Sequence, residues 1–180
     1  MLPIDVQAAR VEAELVKVGD VSKIAVKSDG KTDAISGVSI TVKDFLDLVP
    51  KALAAGPVAK GSYKKDGWFY AKAPEFDKSG YAATALITIV NGRIVGAVSN
   101  AVYKDGGDSK YIRAVKGTYK MNAKQGEWNV QADRMAGALV KVQEVSKIAV
   151  KADGKTDAIS GVSVTVGDFF KVAAEALKAA

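Results

Sequence analysis

The sequence predicts an α+β fold: a twisted antiparallel sheet with a hairpin, followed by a helix, a loop and a second helix. Three observations predict it. Val21 to Val42 returns as Val145 to Val166 with only Ser28/Ala152 and Ile40/Val164 exchanged, the mark of a duplicated module. Each copy lies between two apolar stretches with helical period. Between the copies stands sequence that occurs once, in which Asn91-Gly92 separates two β-rich apolar runs, a strong hairpin signal. Strands grouped first and helices after them point to α+β rather than to alternating βαβ units.

The elements follow in order. Val6, Ala9, Val11, Leu15 and Val18 approximate a 3.6-residue period, predicting a helix from Asp5 to about Val18, and its counterpart runs from Val130 to about Val142. The match is gapless there: Val6-Gln7-Ala8 corresponds to Val130-Gln131-Ala132, Arg10 to Arg134, and Leu15-Val16-Lys17-Val18 to Leu139-Val140-Lys141-Val142. Ile24-Ala25-Val26 and Ile148-Ala149-Val150 fit either a brief strand or an extended lead into the loop. Thr41-Val-Lys-Asp44 and Thr165-Val-Gly-Asp168 each set a hydroxyl three residues before a carboxylate, as in a capping box. Helices are therefore expected to start there, one reaching about Ala55 with Pro50 in its last turns, the other reaching towards Ala179. In the single-copy part, Trp68-Phe69-Tyr70, Tyr81 to Val90 and Arg93 to Val98 read as strands, and Tyr111 to Val115 as a candidate further one. Asp66-Gly67 and Gly106-Gly107-Asp108 read as turns.

Composition excludes several function classes. The 180 residues are 48% hydrophobic, enough to bury a core. His and Cys are both absent, which removes Ser-His and Cys-His nucleophiles, common zinc sites and disulfides. Asp105 and Asp108 lack the spacing of a calcium loop, and no metal is expected. No apolar run reaches the length of a membrane span, and the opening MLPIDVQAARVEAELV carries acidic residues where a signal peptide has an apolar core. The chain as it stands is thus expected to lack a signal peptide and a lipid anchor. Its net charge of +6 is spread among 20 acidic residues without a basic, aromatic-interleaved cluster, so no nucleic acid is expected as a partner.

Chemistry concentrates in the duplicated loop. Ser36-Gly37-Val38-Ser39-Ile40-Thr41 precedes a predicted helix start, where unpaired N–H groups and the helix dipole favour a phosphate. Gly37 permits close backbone approach. Ser39 then presents a hydroxyl where a phosphate is attached or hydrogen-bonded, and Ser160, Gly161, Ser163 and Thr165 repeat the arrangement. Asp33 and Asp157 are expected to lock the loop by accepting backbone N–H groups, as Asx turns do. Read from these residues alone, turn and cap chemistry accounts for the pattern better than a phosphate site does, and the duplication narrows that margin without reversing it.

The stretch Asp33-Ala34-Ile35-Ser36-Gly37-Val38-Ser39, repeated at Asp157 to Ser163, resembles the flavinylation motif of the FMN-binding domain family. That family includes subunits of sodium-translocating NADH:quinone reductase and Rnf complexes, and flavinylated lipoproteins of Gram-positive extracellular electron transfer. Asp66-Gly67-Trp68-Phe69-Tyr70, Gly80-Tyr81 and the Ile87-to-Ile94 hairpin look like the same family's N-terminal half. The resemblance implies FMN, up to two copies, carried from FAD by a magnesium-dependent flavin transferase onto Ser39 and Ser163 in phosphoester linkage. It makes Asp33, Ser36, Gly37 and Asp157, Ser160, Gly161 the supporting motif residues. Val and Ser stand in both copies where the family has Ala and Thr; Thr41 and Thr165 are the alternative acceptors, otherwise helix caps. Residues 1–56 would be the C-terminal half of a first, truncated domain, 57–61 a linker, and 62–180 a complete domain.

The implied protein is an extracytoplasmic, cell-surface electron carrier rather than an enzyme. It would relay electrons from a membrane donor, such as a quinone-linked dehydrogenase system, to flavin or an extracellular acceptor. The rival reading is a non-redox surface binding or spacer module whose loops only cap helices; a noncovalent FMN enzyme is a third. Because residues 1–56 form a half-unit with an apolar face, a domain-swapped homo-oligomer is also expected as an option. Trp68, Phe69, Tyr70 and Tyr119 are either core residues or neighbours of a flavin ring. Lys27, Lys31, Lys151 and Lys155 are either solvated or balance phosphate charge.

Overall fold

The computed structural model describes residues 2–180. It is α+β, as expected, with two compact units, one ending at Pro57 and the other spanning Val58–Ala180. The first holds α1 (Ile4–Val18) and α2 (Lys43–Ala55), with a 3-10 turn at Val21–Lys23. The second holds β1 (Gly67–Lys72), β2 (Tyr81–Val90), β3 (Arg93–Tyr103), α3 (Lys110–Val115), α4 (Trp128–Val142) and α5 (Gly167–Leu177). Among the described residues no helix is long and apolar enough to cross a membrane.

The three strands form one antiparallel meander in the order β1-β2-β3. Val90 pairs with Arg93 across Asn91-Gly92, whose φ values of 51° and 70° are those of a tight hairpin turn. Asp66 clasps that turn, its carboxylate accepting the N–H groups of Asn91 at 2.7 Å and Gly92 at 2.8 Å. Residues 58–61, expected as linker, are tied down as well. Val58 O accepts Asn91 Nδ2 at 2.7 Å, and Gly61 N donates to Asn91 O at 2.9 Å. The backbones pass so closely that a Cβ on Gly61 would stand 1.9 Å from Gly92 O. Gly61→Ala is therefore expected to destabilise the second unit by about 1–3 kcal/mol, the usual cost of forcing atoms into a packed site, seen as a lower urea midpoint.

One sheet face buries Ala85, Ile87 and Ile89 against α4 and α5, which bring Ala132, Met135, Leu139, Phe169, Phe170 and Ala173. Alternation along β1 turns Phe69 and Ala71 toward that core and leaves Trp68 80% and Tyr70 60% exposed on the other face. The core reading thus holds for Phe69 and, partly buried, Tyr119, and fails for Trp68 and Tyr70.

One further expectation is corrected, and one open alternative is decided. Tyr111 to Val115 is not a strand: Ser109 caps a short helix by accepting Ile112 N–H, and Asn100 Oδ1 holds Tyr111 N–H at 3.0 Å. Ile24 to Val26 resolves as extended chain outside any sheet.

The two copies end their first helix differently. The left-handed position after α1 is Gly19 (φ 67°), the residue that adopts it without strain. After α4 the same position is Gln143 (φ 69°), whose amide accepts Ile94 N at 2.9 Å and donates to Ile94 O at 2.8 Å. The side chain bolts helix to hairpin and offsets its backbone strain.

Candidate functional site

Each duplicated loop is built on two side chains of the preceding helix, spaced i, i+3 and so on one face. In the first unit the buried Gln7 turns its amide oxygen toward the loop, where it accepts Ser39 N (2.7 Å), Ser39 Oγ (3.2 Å) and Ile40 N (3.2 Å). Its Nε2 donates to Leu2 O at 2.6 Å. Gln131 does the same for Ser163 N (2.7 Å), Ser163 Oγ (3.3 Å) and Val164 N (3.3 Å), and donates to Gly126 O at 2.8 Å. Arg10 Nη1 donates to Ser36 O at 2.7 Å, and Arg134 Nη1 to Gly161 O at 2.6 Å and to Gln125 O. The guanidinium lies over the loop glycine: a Cβ on Gly37 would meet Arg10 Nη1 at 2.1 Å, and one on Gly161 would meet Arg134 Nη1 at 2.9 Å. With φ of 75° and 73°, both positions favour glycine twice over.

Loop closure falls to residues other than those expected. Asp33 and Asp157 do not accept backbone N–H groups; they are exposed and pair with Lys27 Nζ (2.9 Å) and Lys151 Nζ (2.7 Å). Those hydrogen bonds are the main cause holding both ammonium groups above the usual lysine range. The Asx turn is made by Asp29 and Asp153, which accept Lys31 N (3.0 Å) and Lys155 N (2.9 Å). Buried Thr32 and Thr156 stitch the loop across, donating to Ala25 O (2.7 Å) and Ala149 O (2.6 Å) and accepting Ala34 N and Ala158 N.

The capping box is also absent. Val42 and Val166 occupy the cap positions with no side-chain bond to the helix start. Gly30 O accepts Val42 N (2.8 Å) and Lys43 N (3.1 Å), and Gly154 O accepts Val166 N (2.7 Å) and Gly167 N (3.1 Å). A backbone carbonyl thus fills the role assigned to Thr41 and Thr165, whose hydroxyls remain at the exposed rim. The amides of Ser39, Ile40, Val42 and Lys43 are all taken, so these four are not free to hold a phosphate. The positive charge beside the loop is instead Arg10 or Arg134, each with further N–H groups on its guanidinium.

The structure therefore brings Ser36, Gly37 and Ser39 together under Arg10 and Gln7, and Ser160, Gly161 and Ser163 under Arg134 and Gln131. It leaves Asp33 and Asp157 outward with their lysines. Gln7, Arg10, Gln131 and Arg134 were missed as site residues, although their gapless recurrence was the signal for them.

A solution NMR structure of a Clostridium thermocellum protein is 44% identical to this chain, covering 64% of it and 92% of that protein, with a TM-score of 0.52. The chain belongs to that protein's family. A crystal structure of a Clostridium perfringens protein is 22% identical over 63% of this chain and 86% of that one, with a TM-score of 0.48. No protein-family model and no curated protein matches the chain.

Proposed function

We propose that the protein is an electron carrier whose FMN is bound by phosphoester linkage to Ser39 and Ser163. The observation that carries the reading is the hold that Gln7 and Gln131 repeat on the two serines. Each hydroxyl sits at a loop held by a buried Gln, beside an Arg guanidinium whose remaining donors suit a phosphodiester. The donor set fits the group: one nucleophilic oxygen, one cation, and a glycine that lets the guanidinium lie against the loop.

Attachment requires a flavin transferase, with FAD and magnesium. Serine Oγ forms the new bond to the FMN phosphorus, the pyrophosphate bond of FAD breaks, AMP leaves with the bridging oxygen, and the hydroxyl proton passes to a base of the transferase or to water. Gln7 and Gln131 accept from the hydroxyl and fix its position; as neutral amides they do not take its proton. The bound isoalloxazine supplies the redox chemistry, and the protein supplies tethering and charge. A covalent tether suits an extracytoplasmic surface, where a dissociating cofactor is lost by dilution. Electrons would come from a quinone-linked membrane donor and pass to flavin or an extracellular acceptor.

Coexpression with a flavin transferase, followed by intact mass and absorbance after denaturation, tests the reading. Colour that persists in denatured protein together with an FMN adduct is the expected result. Colour released on denaturation would make the protein a noncovalent flavin binder, and colourless, unadducted protein would leave a module whose loops only shape the chain.

A further inference from the structure

The inner face of the sheet carries one polar side chain that the fold does not satisfy. Ser99 on β3 is 3% exposed, and its Oγ has no hydrogen-bond partner among the described residues. An unpaired buried hydroxyl costs about 1–3 kcal/mol, so its retention calls for a ligand or solvent. It opens into a cavity of about 70 Å³ that also reaches Thr165 and Asp168 at the start of α5.

Lys110 lines the same cavity. Its ammonium lies 4.8 Å from the ring centre of Tyr81, 4.9 Å from that of Tyr119 and 5.2 Å from that of Trp128, and enters no ion pair among the described residues. Burial holds it below the usual lysine range, against the opposing charge of Asp77. The cavity thus offers two donors, Lys110 Nζ and Ser99 Oγ, two acceptors in the Asp77 and Asp168 carboxylates, and aromatic walls from Tyr81, Trp128 and Phe169. Thr165 is two residues from Ser163, at most about 7 Å of extended chain, which a ribityl-phosphate arm can span.

We propose that this cavity receives the pyrimidine edge of the isoalloxazine tethered at Ser163, with Lys110 and Ser99 donating to its N1–C2=O side; the inference rests on the flavin reading above. That edge presents two carbonyls and N1 as acceptors and N3–H as a donor, the complement of this set. Its size admits only the edge, leaving the dimethylbenzene ring outside for electron exchange. Reduction of the neutral ring by two electrons and one proton leaves a monoanion centred on N1–C2=O, which Lys110 stabilises. The corresponding groove of the first unit is lined by Ala8, Val11, Glu12, Ile40, Thr41, Val42 and Phe45, with no lysine. The two flavins are therefore inequivalent, the Ser163 flavin having the higher potential.

The test uses full-length chain coexpressed with the transferase, carrying Ser39→Ala so that only Ser163 is loaded, with Lys110→Met or Ser99→Ala added. Intact mass reports attachment, and dithionite titration against reference dyes reports potential. Lys110→Met is expected to keep the adduct and lower the reduced-to-oxidised ratio at least tenfold, about 30 mV for a two-electron couple. In the Ser163→Ala background the same substitution leaves the Ser39 flavin unchanged. In unloaded protein Ser99→Ala raises Tm, because it removes an unsatisfied hydroxyl, while in loaded protein it shifts the flavin absorption band. An attached flavin with unaltered potential and spectrum in both variants overturns the inference and leaves the tether intact. Absence of any adduct overturns both, and the mass distinguishes the two failures.

Discussion

Ser163→Ala is expected to remove one flavin from the intact mass and Ser39→Ala the other, the double variant emerging colourless. The loss should be complete at each position, since no other hydroxyl in either loop shares the hold of Gln131 or Gln7. Thr165 and Thr41 sit two residues downstream, beside backbone already engaged by Gly154 O and Gly30 O, and their hydroxyls lack that support. Ser163→Thr, which keeps the oxygen, should keep the adduct. Retention of both flavins in the double alanine variant would transfer the anchor to the threonines.

The second large effect belongs to Gln131. Replacing it with Leu removes the acceptor for Ser163 N and Val164 N and the donor for Gly126 O, inside a site with no measurable exposure. At about 1–3 kcal/mol for each buried group left unpaired, and with some regained from water at the loop rim, the cost is about 3 kcal/mol. Urea unfolding should show it as a lower midpoint with an unchanged slope. Hydrogen exchange should place the loss in the loop and α4. Gln7→Leu breaks the corresponding bonds to Ser39 N, Ile40 N and Leu2 O in the first unit. Two compact units need not unfold together, so exchange resolved by unit is the measurement for this variant. If either variant matches the parent in its own unit, the glutamines do not hold the loops.

The sequence showed its local patterns well. The helical period of Val6 to Val18 and the Asn91-Gly92 turn each act over a few residues, and both appear close to where they were read. What escaped was set by residues far apart in the chain. Tyr-Ile-Arg-Ala-Val is β-rich and too short to display a helical period; Ser109 and the distant Asn100 make it a helix. The threonines before α2 and α5 have the spacing of a capping box, yet the cap is a glycine carbonyl in the same loop, invisible to a pattern of side chains. Asp33 and Asp29 are interchangeable by composition, and only the fold of the loop shows that Asp29 makes the turn while Asp33 faces water.

The duplicated helices also differ in cover. Phe45 is 40% and Leu48 58% exposed, whereas Phe169 and Val172, at the same repeat positions, are 4% and 6% exposed beneath the sheet. Yet the bonds from Gln to the loop are nearly the same in both units, and each loop also receives an Arg guanidinium. The shape of the anchor is therefore inherited from the helix just ahead of it and owes little to any β-structure. On the proposed flavin reading, residues 2–57 then amount to a portable tag: grafted onto an unrelated carrier protein, they should bring Ser39 with them in the same loop, open to the transferase.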